Sequence, residues 1–202
     1  MMVLGQALRR TINPVAAAVV SAVLLIGTLS YMIAERVAIL QNGTEIVLKT
    51  APVDPRDLMR GDYVQLRYED ISLVDTSLFV GDWPEQDTFA PLWLTLETTE
   101  DGLATVKSLS LEKPKGGNSK AVYLKSKPVK LYQSGTKRVR TLRDALKFGI
   151  ERYYVPEGEG LDIEAARNQG RTTVAIRVSA DGKAQITRLM IDGKTLYQEP
   201  LY

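Results

Sequence analysis

Two carboxylates in the C-terminal half of the chain are the first residues whose spacing suggests chemistry. Glu157 and Glu159 flank Gly158, which lets the backbone bend so that both side chains can point the same way. With Asp162 or Glu164 they would supply the oxygen ligands that a hard cation prefers. Such a pair would also suit glycoside hydrolysis. A solvated acidic loop between a strand and a short helix explains the same residues without any ligand.

A second group of polar residues lies where a turn leads into a strand. Gly61 permits a positive φ, and the side chain of Asp62 can bond the backbone two residues further on, so this pair is typical of a tight turn. Tyr63 and Arg67 then share one face of the strand. We take Asp62, Tyr63 and Arg67 as candidate binding residues, and a well-packed entry to a sheet is the alternative interpretation.

The composition argues against the most common catalytic centres. The 202 residues include no His and no Cys, so the usual general base, zinc ligands and disulfides are missing. A Ser-Lys protease needs neither residue, but its Ser would follow the apolar N-terminal segment closely, and no Ser lies between Ser30 and Ser72. We assign no catalytic residue, no metal and no cofactor. The formal net charge of +2 is too small to indicate a nucleic-acid partner.

The segment Val15–Ala34 carries no charge over about 20 residues, the length of a helix that spans a hydrocarbon core. Arg9 and Arg10 are the only charged residues before it, so the positive-inside tendency keeps the N-terminus in the cytoplasm. A cleaved signal peptide is the main alternative, although this run is longer than an h-region and lacks a small-x-small site. A buried helix of a soluble protein is the other alternative.

A helix from Pro14 to Gln41 is predicted to end at Asn42-Gly43, because Gly and Asn are favoured where a chain turns left-handed. The predicted division is a cytoplasmic N-terminus (1–14), an anchor helix with its stalk (15–41) and an extracytoplasmic domain (44–202).

Alternating apolar and polar residues predict that this domain is mainly β. Along residues 63–68, Val64, Leu66 and Tyr68 share one face and are expected in the core. Asp-Gly between alternating segments predicts hairpins near the C-terminus. The expected fold is a single antiparallel barrel-like or sandwich domain with one or two short helices. Strands are predicted at 44–50, 63–68, 91–97, 103–111, 121–125, 129–132, 172–179, 184–191 and 195–198, and helices at 141–148 and 161–169.

Residues 61–68, Gly-Asp-Tyr-Val-Gln-Leu-Arg-Tyr, resemble the signature of the membrane-anchored bacterial family that is named for its GDYxxLxY motif. Residues 152–160, Arg-Tyr-Tyr-Val-Pro-Glu-Gly-Glu-Gly, resemble the second signature of that family, and Ile191-Asp192-Gly193 with Pro200-Leu201 resembles its end. The resemblance implies no reaction. Members are often encoded beside multi-pass membrane proteins, which implies a partner of that kind in the same bilayer.

We therefore expect a non-enzymatic accessory or interaction domain, single-pass in the bacterial inner membrane. It would contact the lipid bilayer through Val15–Ala34, face the periplasm or cell exterior and partner a multi-pass membrane protein, but no nucleic acid. The alternative is a ligand- or cation-binding domain, or a hydrolytic one, that uses Asp and Glu carboxylates. In that case Asp62, Glu157 and Glu159 should converge.

Overall fold

The computed structural model describes residues 13–53, 63–115, 120–132 and 141–200. The chain divides into two units, Met1–Ala38 and Ile39–Tyr202. The described residues form the helices α1 (Pro14–Asn42) and α2 (Gly160–Asn168) and the strands β1 (Thr44–Lys49), β2 (Tyr63–Gln65), β3 (Leu73–Asp75), β4 (Thr88–Ala90), β5 (Trp93–Thr98), β6 (Ala104–Ser110), β7 (Ala121–Lys125), β8 (Val129–Leu131), β9 (Thr141–Arg143), β10 (Arg152–Tyr154), β11 (Thr172–Val178), β12 (Ala184–Ile191) and β13 (Lys194–Gln198).

Helix α1 contains the whole apolar segment, as predicted from its lack of charge. Its 29 residues give it a length of about 43 Å. Within the described part of the chain it is the one helix that is long and apolar enough to cross a membrane. The large apolar side chains of this segment, such as Val15 and Leu25, are exposed. That exposure argues against a helix buried in a soluble core, because such a helix hides its apolar side chains.

The helix ends at Asn42, as predicted, but Gly43 is needed for a different reason. Its φ is not positive, and its N–H extends the helical pattern by donating to the carbonyl of Ile39 at 2.9 Å. A Cβ on Gly43 would lie 2.5 Å from that carbonyl oxygen and 3.0 Å from the Cβ of Arg177 in β11. Glycine is therefore required by a close approach and not by a left-handed turn.

The largest sheet is antiparallel and has the order β1-β11-β12-β13. Its last three strands are the predicted C-terminal meander. The turn between β12 and β13 places Asp192 at φ 51° and Gly193 at φ 75°. Positive φ at both central residues is the type I′ geometry that Asp-Gly favours, so the hairpin prediction is confirmed.

A second antiparallel sheet has the order β6-β5-β7, and a bulge in β6 explains its irregular sequence pattern. Leu96 pairs with Val106 and Thr95 with Ser108, so Lys107 is an extra residue. An extra residue reverses the alternation of side chains beyond it. Ala104 and Leu109 are consequently both buried, although five positions separate them.

Residues 141–148 do not form the predicted helix. Thr141–Arg143 pairs instead with β3, and Asp144 follows in the left-handed region at φ 52°. Its N–H donates to the carbonyl of Ser72 at 2.7 Å, and its carboxylate accepts a hydrogen bond from Arg67. Tertiary partners thus override a short helical pattern. The same pairing of very short segments produces β4 with β8 and β2 with β10.

Two backbone contacts link the two larger sheets. Val47 of β1 forms a parallel bridge with Leu103, and the N–H of Lys125 in β7 donates to the carbonyl of Gly182, in the turn after β11, at 2.9 Å. Both are single links. The five sheets of the described residues do not close into a barrel, and the mainly β, antiparallel prediction is confirmed.

Gly182→Ala should destabilise the second unit far more than Gly102→Ala, although φ is +83° at Gly182 and +81° at Gly102. A Cβ at position 182 would lie 2.6 Å from Cζ3 of Trp93 and 2.7 Å from Cβ of Lys125, whereas one at position 102 meets nothing within 4 Å. We expect a loss of about 1–2 kcal/mol at 102 from backbone strain and of about 2–5 kcal/mol at 182 from strain plus overpacking. Urea unfolding of the chain in mild detergent measures both losses, and equal values would contradict the close approach.

Candidate functional site

Parts of the two candidate segments, residues 63–66 and 151–154, lie side by side in the structure. Strand β2 pairs with β10 in antiparallel register, so that Tyr63 is opposite Tyr154 and Val64 is opposite Tyr153. Just beyond the pair, the N–H of Leu66 donates to the carbonyl of Glu151 at 2.8 Å. Candidate residues that are about 90 positions apart in sequence therefore share one small sheet.

The inner face of this sheet belongs to the core. Val64, Leu66 and Tyr68 are each at most 2% exposed, which confirms the predicted face. The hydroxyl of Tyr68 donates to the carbonyl of Ile150 at 2.6 Å. Burial, with a smaller contribution from the charge of Glu151, raises the pKa of the Tyr68 phenol well above its usual value. Tyr68 is thus a neutral donor that ties the strand to the segment before β10.

Glu151 holds the turn that presents this acceptor. Its two carboxylate oxygens accept hydrogen bonds from the backbone N–H groups of Phe148 and Gly149. Gly149 has a φ of +88°, which glycine adopts at little cost. The carboxylate therefore closes a tight turn immediately before β10.

The outer face of the same sheet is aromatic and basic. The rings of Tyr63 and Tyr154 have centroids 6.0 Å apart at an interplanar angle of 60°. The guanidinium carbon of Arg152 lies 5.1 Å from the centroid of the Tyr63 ring. Tyr154 is 72% exposed. We call Tyr63, Arg152 and Tyr154 the tyrosine face. Tyr and Arg are enriched where proteins bind each other, because they combine apolar area with directional donors.

Arg67 lies two residues beyond the end of β2, and its guanidinium forms an ion pair. Its Nε donates to Oδ1 of Asp144 at 2.8 Å, and both side chains are partly exposed. This contact joins the strand to the residue that follows β9. Arg67 was predicted as a binding residue, and in this structure its guanidinium has a structural partner.

The two acidic candidates lie on an exposed turn before α2. Glu157 and Glu159 are both exposed, and Gly158 bends the backbone at φ +89°. The N–H of Glu159 donates to the carbonyl of Pro156 at 3.2 Å. Among the described residues, no three acidic side chains are grouped in a way that could hold a metal ion. Asp62, the third carboxylate named above, lies outside the described residues.

Sequence reasoning missed Arg167, which is 1% exposed although it is charged. Its Nη1 donates to the carbonyl of Gln65 in β2, and its Nε donates to Oδ1 of Asn168 at 3.2 Å. Oε1 of Glu164 lies 3.7 Å from Nη1 of Arg167. Burial lowers the pKa of the Arg167 guanidinium, and Glu164 opposes that effect.

Arg167 and Asn168 of α2 bind the residues that precede and follow residues 54–62. The N–H of Val53 donates to Oδ1 of Asn168 at 3.3 Å, while Arg167 binds Gln65. The available sequence signal was the position of Arg167 four residues after Ile163, one turn along the buried side of α2.

A family model described as GDYXXLXY protein matches residues 25–189. The chain belongs to this family. The match contains both members of the β2–β10 pair and all of α2. In this GDYXXLXY protein the named positions divide by face, since Leu66 and Tyr68 point into the core while Tyr63 lies on the outer face. No curated protein and no solved structure matches the chain.

Leu66→Ala and Tyr68→Ala should each lower the free energy of unfolding by about 2–5 kcal/mol, because each leaves a cavity in the core. Tyr63→Ala should cost clearly less, since Tyr63 lies on the outer face. Tyr154→Ala is the matched control, as it removes the same side chain from an exposed position. Urea melts measure the four losses, and equal losses for Tyr63 and Tyr68 would refute the face assignment.

Proposed function

We propose that this GDYXXLXY protein is a membrane-anchored accessory subunit that binds a multi-pass membrane protein. Helix α1 would anchor it in the bacterial inner membrane, and residues 44–202 would face the periplasm or cell exterior. The length, apolar composition and exposure of α1 support the anchor.

The observation that carries the binding role is the tyrosine face. The motif for which the family is named contributes Tyr63, and the second signature contributes Arg152 and Tyr154. A purely structural pair of strands does not need two tyrosines in edge-to-face contact, and an arginine over one of the rings, on its solvent side. The face is also supported from below, because Tyr68 and Arg167 bind backbone carbonyls of the segments around β10 and β2. A rigid aromatic surface loses little conformational entropy when a partner binds.

The carboxylate-based alternative has less support. Glu157 and Glu159 project from an exposed turn, where solvent screens their charge. Cation binding needs several oxygen ligands around one point, and hydrolysis needs two carboxylates that face each other across a substrate. Among the described residues, no three acidic side chains are grouped in a way that would supply the ligands of a cation.

The proposed topology can be tested by cysteine labelling, because the chain has no cysteine of its own. Glu100 is exposed in the turn between β5 and β6, so Glu100→Cys should react with a membrane-impermeant maleimide in cells whose outer envelope is permeabilised. Gly5→Cys, before the anchor, should react only after the inner membrane is lysed. The reverse pattern would overturn the orientation, and release of a shortened chain from the membrane would indicate a cleaved signal peptide.

The proposed partner can be tested by placing a photoreactive phenylalanine analogue at position 154 in cells. We expect ultraviolet light to give a defined adduct with a protein that has several membrane spans. The same analogue at position 196, which is an exposed leucine on β13, is the matched control and should not give that adduct. Arg152→Ala should weaken the adduct at 154 without lowering protein abundance. Identical products at 154 and 196, or an adduct only with soluble proteins, would contradict the proposal.

A further inference from the structure

The small net charge of the chain conceals one strongly basic segment. Between Lys113 and Lys147 the sequence has eleven Lys and Arg residues and a single acidic one, Asp144. The whole chain has 26 basic and 24 acidic residues, so everything outside this segment is net acidic. The basic residues of the segment that the structure describes are all exposed. Such a concentration of one sign creates a local positive potential on one part of the surface.

Two of these lysines, Lys127 and Lys147, are joined through their backbones. The backbone N–H of Lys127 donates to the carbonyl of Lys147 at 2.6 Å, which brings two like-charged residues together. Neither side chain forms an ion pair with any residue that the structure describes. Exposed ammonium groups that have no ion-pair partner among the described residues attract external anions.

Exposed aromatic side chains lie beside Lys130, which follows Lys127 by three positions. In the β4–β8 pair, Phe89 is directly opposite Lys130, and such cross-strand partners share a face. The Nζ of Lys130 lies 4.9 Å from the ring centroid of Tyr132. Phe89 is 73% exposed and Tyr132 is 53% exposed. We call Phe89, Lys127, Lys130, Tyr132 and Lys147 the lysine face.

The lysine face is held in place by contacts beneath it. The indole Nε1 of Trp83 donates to the carbonyl of Tyr132 at 2.8 Å. The ring of Trp83 in turn packs against Phe79, with centroids 4.9 Å apart. Lys130 also pairs with Asp87 at 3.3 Å, which fixes its side chain near Tyr132. The aromatic residues are therefore presented on a supported sheet.

We propose that the lysine face contacts the anionic lipid headgroups of the membrane in which α1 is anchored. Lysines attract anionic headgroups, and Phe and Tyr insert at the boundary between headgroups and acyl chains. The anchor keeps the domain close to lipid, so weak attraction at this face is enough for contact. This inference rests on the membrane anchor of the proposed function, but it is independent of the protein partner and of the tyrosine face.

The test uses the full chain reconstituted in vesicles. Phe89→Cys is labelled with an environment-sensitive fluorophore, and quenching by lipids with a spin label near the headgroup is measured. The same label at Leu196→Cys, exposed on β13, is the control for the rest of the domain surface. The label at Leu25→Cys, within the apolar stretch of α1, is measured with lipids that carry the spin label deep in the acyl chains, and its quenching reports separately whether the anchor is inserted.

We expect the label at 89 to be quenched in vesicles that contain phosphatidylglycerol, and not in vesicles of phosphatidylcholine alone. Raising the salt from about 0.1 M to about 1 M shortens the Debye length from about 10 Å to about 3 Å and should abolish the quenching. Lys127→Gln/Lys147→Gln should lower the ratio of docked to undocked domains about fivefold per lysine removed. Lys107→Gln/Lys194→Gln removes the same charge from exposed positions elsewhere and should leave that ratio unchanged.

Other results would overturn the inference in distinguishable ways. An unquenched label at 89 together with a quenched label at 25 would show an inserted anchor and no lipid contact at the lysine face. Equal quenching at 89 and 196, or in neutral and anionic vesicles, would contradict recognition by charge. An unquenched label at 25 would refute the anchor itself and the lipid contact with it. A face that serves an acidic protein instead would leave the label at 89 unquenched in every vesicle.

Discussion

The pairing of β2 with β10 and with the residues just before it is the interaction on which the rest of this region depends. The bond from the hydroxyl of Tyr68 to the carbonyl of Ile150 and the bond from the N–H of Leu66 to the carbonyl of Glu151 fix the register. A slip of one residue would turn the buried side chains toward solvent and bring Tyr63 into the core. Leu66 and Tyr68 of the family signature therefore stabilise one register of β2 against β10.

The same register produces the surface that carries the proposed function. The rings of Tyr63 and Tyr154 meet edge to face on the outside because the two residues are direct cross-strand partners. Arg167 of α2 supports this sheet, because its guanidinium donates to the carbonyl of Gln65. A guanidinium as fully buried as this one is unusual in a protein core. Burying a charge is costly unless it is well hydrogen-bonded, so this helix is committed to one position against β2.

Two faces with different chemistry are each built on a two-stranded sheet. The tyrosine face lies on β2–β10 and offers aromatic rings with one arginine, whereas the lysine face includes Phe89 and Lys130 of the β4–β8 pair and offers exposed lysines with two exposed aromatic rings. Under the proposed function the two faces would have separate partners, since aromatic rings with an arginine suit a protein and lysines with aromatic rings suit anionic lipid. Both two-stranded sheets are separate from the two larger sheets, so their outward side chains can differ without changing the strand pairing of the larger sheets.

The sequence by itself determined the apolar helix, the C-terminal meander, α2 and the inward position of Leu66 and Tyr68, because these features depend on a periodicity that neighbouring residues express. Only the tertiary structure decided which residues far apart in sequence pair or pack against each other. Residues 141–148 have a helical pattern, yet pairing with β3 makes their first part a strand. The burial of Arg167 against Gln65 and the approach of Arg177 to Gly43 likewise join residues more than 100 positions apart, and no local pattern encodes such contacts.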